Sequence, residues 1–284
     1  MRLAPAILAI GLMAAAAAPA GAQLLAAKDG PVVYGHHHLT VTSVDAHKKF
    51  WVDALGGRAA RLGTTEAAVF PNVIVLLRQG SPTGGTKGTS VNHVGFGVTD
   101  LRAAVARLKA AGFPMVTRAE APPVYEVKDD MAYVPDQKTS IAFVMAPDDV
   151  KVELVEVKTL ATPIALHHIH YATPQVEAMK AWYVEHFGAK GGMRGSFQAA
   201  DLPGVNLTYS PSDVAVAGTK GRALDHVGFE VRDLEAFCRT LEAAGVKFDR
   251  PYSKVAALGI GIAFFTDPFG TYVELTEGLD GAVK

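Results

Sequence analysis

Short runs in which apolar and polar residues alternate recur along most of this chain. Gly, Pro and Asp break them, and the runs predict strands. Four of these strands open on a histidine: His36–Val41, His93–Val98, His168–Thr173 and His226–Val231. Each is followed by a helical pattern. Leu101, Val105 and Leu108 fall at i, i+4, i+7, as do Leu234, Cys238 and Leu241, the spacing of one buried helix face. Ser43 and Asp100 are suited to cap helix N-termini, and Gly56, Gly112, Gly188 and Gly245 to end them. After each helix come further strand-like runs, among them Val73–Leu77, Ser140–Met145, Val205–Tyr209 and Gly261–Thr266. The unit reads β-α-β-β-β, four times over.

The pattern is also a duplication. His93-Val94-Gly95-Phe96 returns as His226-Val227-Gly228-Phe229, 133 positions later, and Ala110-Ala111-Gly112 as Ala243-Ala244-Gly245 at the same offset. His36-x-His38 returns as His168-x-His170 at an offset of 132. Val152-Glu153-Leu154 returns as Val273-Glu274-Leu275 at 121, so the first half carries 12 extra residues between Gly112 and Ile141. An offset this steady marks an internal repeat. The halves are taken as two domains, 35–158 and 164–280. The segment Arg118–Gln137 falls in the excess and reads as a solvated loop, with a lid over one site as the alternative.

Composition narrows the class. The 284 residues are 49% hydrophobic and 19% charged, ordinary for a globular chain of about two domains. The formal net charge of −1 gives no electrostatic case for nucleic acid or anionic lipid. The single cysteine, Cys238, excludes an internal disulfide and a cysteine-built zinc site, and its helix position reads as inert packing. Residues 1–22 read as a signal peptide: Arg2, an apolar stretch, then Ala20-Gly21-Ala22 before Gln23. Pro5 and Pro19 leave Ala6–Ala18, too short to span a bilayer. A periplasmic or secreted protein, free of the membrane after cleavage, is expected.

The candidate chemistry is two histidines and a glutamate per half. In the first these are His36, His93 and Glu153; in the second, His168, His226 and Glu274. Two neutral imidazoles and one carboxylate can occupy one face of a metal ion and leave positions open to substrate or oxygen. All six residues sit on predicted strands, whose inward side chains can converge inside a curved sheet. The H-x-H spacing puts His36 with His38, and His168 with His170, on one face, so either member of each pair could bind. His37 and His167 point away, and His47 and His186 fall on predicted helices, where solvated positions are expected.

Four such modules, each opening on a histidine strand, and Asp267-Pro268-Phe269-Gly270 followed by Glu274 near the end resemble the vicinal oxygen chelate superfamily. That group includes glyoxalase I, fosfomycin-resistance transferases, bleomycin-resistance proteins and extradiol dioxygenases. The resemblance covers about Gly35 to Leu279. It implies an α+β fold of four βαβββ modules paired into two cupped mixed-sheet domains. It also implies a divalent metal at the six residues named. Glyoxalase I adds a fourth carboxylate or amide ligand, and here Val75 and Asn206 align with that place, which argues against its mechanism. Extradiol dioxygenases share the three-ligand site but add a further His, outside the metal ligands, and a Tyr; no His lies between Phe187 and Asp225, and Phe264 stands near where the Tyr would fall.

From these residues, the expectation is an exported metal-dependent enzyme. It is read as a dioxygenase-like oxidoreductase using Fe(II) on a small oxygen-chelating substrate, with His170 or Tyr209 moving a proton. The alternatives are a lyase, isomerase or transferase using Zn, Mn or Ni, and a non-catalytic binding protein of the same fold. Oligomeric state is not read from the sequence.

Overall fold

A computed structural model describes Leu24 and residues 32–284. The segment read as a signal peptide, 1–22, lies outside the described residues. Among the described residues, no helix is long and apolar enough to cross a membrane.

The first module contains β1 (Val32–Val41), α1 (Val44–Lys48) running into a π-turn at Lys49–Ala54, β2 (Arg58–Leu62), β3 (Thr65–Phe70) and β4 (Val73–Gln79). The second contains β5 (Val91–Val98), α2 (Leu101–Ala110), α3 (Thr117–Glu120), β6 (Val127–Lys128), β7 (Met131–Val134), β8 (Thr139–Ala146) and β9 (Val150–Glu156). The third contains β10 (Ile164–Thr173), α4 (Val176–Phe187), β11 (Lys190–Arg194), β12 (Phe197–Leu202) and β13 (Val205–Pro211). The fourth contains β14 (Leu224–Val231), α5 (Leu234–Ala243), β15 (Phe248–Val255), β16 (Ile260–Thr266) and β17 (Tyr272–Glu277), with a terminal turn α6 (Leu279–Ala282).

The helix signals hold. Ser43 Oγ accepts from the Ala46 amide at 3.2 Å, and Asp100 Oδ1 from the Ala103 amide at 2.9 Å. The glycines that end the helices sit at positive φ, 95° at Gly56 and 70° at Gly188, where a Cβ would be strained. Leu101, Val105 and Leu108 on α2, and Leu234, Cys238 and Leu241 on α5, face the core. Burial pushes the Cys238 thiol up to about 12, which keeps it protonated and unreactive.

The strands form two mixed sheets, one of eight strands and one of nine. Their membership crosses the duplication. The first and fourth modules share one sheet, in the order β15-β16-β17-β14-β1-β4-β3-β2. The second and third share the other, in the order β11-β12-β13-β10-β5-β9-β8-β7-β6. The units that close a sheet are therefore 91–211, continuous in sequence, and 32–79 with 224–277, which flank it; they are not the halves 35–158 and 164–280. The joints are the antiparallel pairs β1–β14 and β5–β10. Among the described residues, one apolar cluster runs between the sheets and their helices and draws on all four modules. In it, Phe96 packs on Trp51 and Phe70 of the first module, and Phe229 on Tyr183 and Phe187 of the third.

The segment Arg118–Gln137 is not a solvated loop. It completes α3 and carries β6 and β7, which extend the nine-stranded sheet at its edge.

Candidate metal centres

Strand register brings the site residues together. In the nine-stranded sheet His170 lies opposite His93, and two positions along His168 lies opposite Gly95, which pairs in turn with Glu153. The other sheet repeats this: His38 opposite His226, then His36, Gly228 and Glu274 in a row. Because strand side chains alternate, each row presents its residues on one face.

The glycine of the repeated H-V-G motif is what lets the histidine across from it reach the glutamate. A Cβ on Gly95 would lie 2.0 Å from Cε1 of His168, and one on Gly228 would lie 2.0 Å from Cε1 of His36. The imidazole therefore lies over a bare backbone. His168 Nε2 comes within 3.0 Å of Glu153 Oε2, and His93 Nε2 within 2.8 Å of the same oxygen. In the other cup, His36 Nε2 and His226 Nε2 both stand 2.9 Å from Glu274 Oε2.

Two groups of four donors result, His93, Glu153, His168 and His170 in one and His36, His38, His226 and Glu274 in the other, each with its donor atoms within 4.8 Å of one another. The sequence-based triads grouped His36 with His93 and Glu153, and His168 with His226 and Glu274. The structure exchanges the first member, since β1 joins β14 and β10 joins β5. It also brings in both members of each H-x-H pair.

The other candidates fall elsewhere. Val75 pairs with His37, on the opposite face of β4, so the position beside His36 is Ile74. Asn206 does lie beside His168, but its amide donates to Asp201 and its carbonyl accepts from Thr208. Tyr209 pairs with Tyr171 and stacks on it in the core, facing away from the cup. Thr208 holds the place beside His170. His47 is not solvated: it is fully buried, with Nε2 3.0 Å from Asp148 Oδ2.

The donors fit a cation. Both nitrogens of His38, Nδ1 of His36 and Nδ1 of His170 are buried without a hydrogen-bond partner. Orphaned imidazole nitrogens in a protein interior are costly unless something else binds them. Burial presses His93, His168 and His170 below the usual imidazole range, which leaves them neutral, the form that ligates. Burial would raise Glu153, but His168 and His93 outweigh it and hold the carboxyl well below its ordinary value. The two cups differ in the next layer. His226 donates from Nδ1 to Asp225 at 2.6 Å, whereas His93 has the neutral Asn92 at 2.8 Å. Burial opposes the charged form of His226, yet Asp225 and Glu274 prevail and raise it.

They differ more in their openings. The nine-stranded cup holds a cavity of about 430 Å³, with His93, Glu153 and His170 in its lining. Glu120, Pro122, Tyr125, Val134 and Gln137, from the segment Arg118–Gln137, contribute to the lining. In the eight-stranded cup the face of β3 and β4 beside His36 and His38 is covered by the chain itself. Leu24 and Leu279 pack against Ala60, Ala67, Val69, Ile74 and Leu76, with Leu62 and Val283 alongside.

Two profiles of the Glyoxalase/Bleomycin resistance protein/Dioxygenase superfamily match the chain, at residues 165–275 and 35–133. No curated protein sequence matches. Glyoxalase I from Zea mays superposes with a TM-score of 0.68 at 19% identity, covering 88% of this chain and 94% of that one. A putative dioxygenase from Bacillus subtilis superposes with a TM-score of 0.62 at 14% identity, covering 86% of this chain and 84% of that one. With both profile matches falling on the observed modules, the chain belongs to the Glyoxalase/Bleomycin resistance protein/Dioxygenase superfamily, as a four-module, two-sheet member.

Proposed function

We propose that this is a metal-dependent enzyme, exported by its apolar leader, that acts on a small substrate bearing two neighbouring oxygen atoms. The reaction belongs to the nine-stranded cup. The observation that carries this is the cluster of His93, Glu153, His168 and His170, three of which, His93, Glu153 and His170, line a cavity of about 430 Å³. Three imidazoles and one carboxylate suit Fe(II), Zn, Mn or Ni, and a divalent ion held there would polarise a substrate oxygen.

The chain's own residues supply the rest. Glu153 balances charge. Tyr125, Phe143 and Phe197 line the cavity with apolar surface that limits water around the reacting groups. His170 has two possible uses, because Ser210 Oγ contacts its Nε2 while its Nδ1 has no partner. It can complete the donor set or accept a substrate proton.

The fourth donor bears on the reaction class. A three-ligand site leaves a six-coordinate ion room for a bidentate chelator and O2 together, and the dioxygenase reading rests on that. Four donors leave two positions, enough for the chelator alone. This favours a lyase or isomerase in which an oxygen is polarised and a proton moved. The Fe(II) dioxygenase is the second reading, supported by a donor set dominated by neutral imidazoles.

The deciding experiment loads metal-free protein anaerobically with Fe(II), Zn, Mn or Ni and offers a panel of hydroxy-ketones, 2-oxo acids and catechols. Turnover without oxygen is expected. A strict oxygen requirement with Fe(II) would establish the second reading instead, and a protein that takes up none of the ions would be a binding module. Export is checked by intact mass, which should show a chain beginning at Gln23.

A further inference from the structure

The two cups descend from one repeat, and comparing them position by position isolates what the open one has acquired. Residues 132 apart occupy matching places: Leu62 and Arg194 end the edge strands β2 and β11, Ile74 and Asn206 lie beside His36 and His168, and Leu76 and Thr208 lie beside His38 and His170. In the closed cup all three are apolar and packed against the chain's own residues. In the open cup all three are polar, and one carries a full positive charge.

That charge has no anion of its own. The Arg194 side chain is 11% exposed, and its Nη2 stands 3.9 Å from Glu153 Oε1. This is its sole ion pair among the described residues, and Glu153 is already committed, through Oε2, to His93 and His168. Arg194 Nη1 donates to Thr208 Oγ1 at 3.2 Å. Asp136, which also acts on it at longer range, accepts from the Ser196 amide. The other buried cation of the cavity, Lys151, is neutralised by Glu120 at 2.7 Å, with Lys87 on the second oxygen at 3.1 Å. Arg194 lines both the cavity and an outer groove that includes His167 and Asn206. A buried guanidinium with its donors partly free is an expensive feature unless an anion completes it, and a guanidinium matches a carboxylate's two oxygens.

We propose that the ligand of the nine-stranded cup is a carboxylate, a 2-hydroxy or 2-oxo acid with an apolar or aromatic body, and that Arg194 selects it. This rests on the functional reading above, in which that cup holds the substrate. The carboxylate lies between Arg194 and the histidine cluster, and the body packs on Tyr125, Phe143 and Phe197.

The test uses mandelate and its neutral isostere mandelamide, with dissociation constants measured by calorimetry on metal-loaded protein. Metal content and melting temperature are recorded for every sample. The wild type should bind mandelate at least about tenfold more tightly, the order expected for a charge-assisted pair. Arg194→Gln should erase that preference while holding its metal, and Arg194→Lys should restore part of it. A wild type that does not prefer mandelate overturns the inference without recourse to any variant, as does an Arg194→Gln protein that keeps the preference. The functional reading fails separately. A wild type that takes up no metal, yet binds mandelate through Arg194, would discard the metal enzyme and keep the carboxylate site.

Discussion

Gly95→Ala adds one methyl group, and its consequence can be worked out from the structure. The new Cβ would lie 2.0 Å from Cε1, 2.1 Å from Nδ1 and 2.7 Å from Nε2 of His168. Non-bonded carbons settle at about 3.5–4.0 Å, so the ring must withdraw by more than about 1 Å. Metal–ligand distances tolerate only about 0.2 Å, so His168 would no longer serve. Perturbing even the groups that orient a ligand typically weakens metal binding about 10–100-fold, and losing a ligand should do at least that. Stability should move less. Overpacking costs about 1–3 kcal/mol, while replacing glycine in a strand returns roughly 0.5–1 kcal/mol. The assay is metal content per chain after dialysis against graded chelator, with melting temperature alongside. Gly97→Ala, two residues on, is the control, since its Cβ meets nothing nearer than the Leu160 and Val157 methyl groups, at 3.1 and 3.3 Å, with the His167 ring at an ordinary 3.7 Å. Gly228→Ala should affect the other cup through His36 and spare this one. A Gly95→Ala protein that binds metal in the nine-stranded cup as tightly as wild type would refute the account of the H-V-G glycine and the placement of His168 among the ligands.

Glu153→Ala and Glu274→Ala should each remove metal from one cup only, and a double variant with wild-type metal content would end the ligand assignment. Leu279→Ala should destabilise the protein by about 2–5 kcal/mol, as expected for a fully buried leucine, and should speed chelator access to the eight-stranded cup; an unchanged exchange rate would mean that α6 does not close it. Burial raises Asp267 from 3.8 to about 6, against opposing hydrogen bonds from Thr271, Tyr183 and Phe269. The folded chain therefore holds this proton more tightly than the unfolded one. The stabilisation is complete below about pH 4 and is lost as pH rises through 6, a swing of roughly 3 kcal/mol. Asp267→Asn should remove this component of the pH dependence of the urea midpoint, and a wild-type profile in the variant would contradict it.

The βαβββ modules were legible because each strand alternates and each helix carries an apolar stripe, signals that depend on near neighbours in sequence. The six His and Glu positions were legible because the duplication repeats them. What misled was the assumption that a half of the chain is a unit. Nothing in the alternation of β1 says whether its free edge joins β5 or β14; that is settled where the apolar faces of all four modules bury one another in a common core. That assumption grouped His36 and His168 with residues that lie in the other sheet. Tyr209 and Val75 failed for a smaller reason: a one-residue change in register moves a side chain to the other face of a sheet. The H-V-G glycine stood in plain view as a repeated motif, but the reason for it is a 2.0 Å approach from another strand. The sequence by itself determined which residues could bind a cation, since donor chemistry belongs to the side chain. Only the tertiary structure decided which donors lie together, which cup has its β3 and β4 face covered, and that Arg194 stands beside a carboxylate it shares with two histidines, because these are distances between segments far apart in the chain.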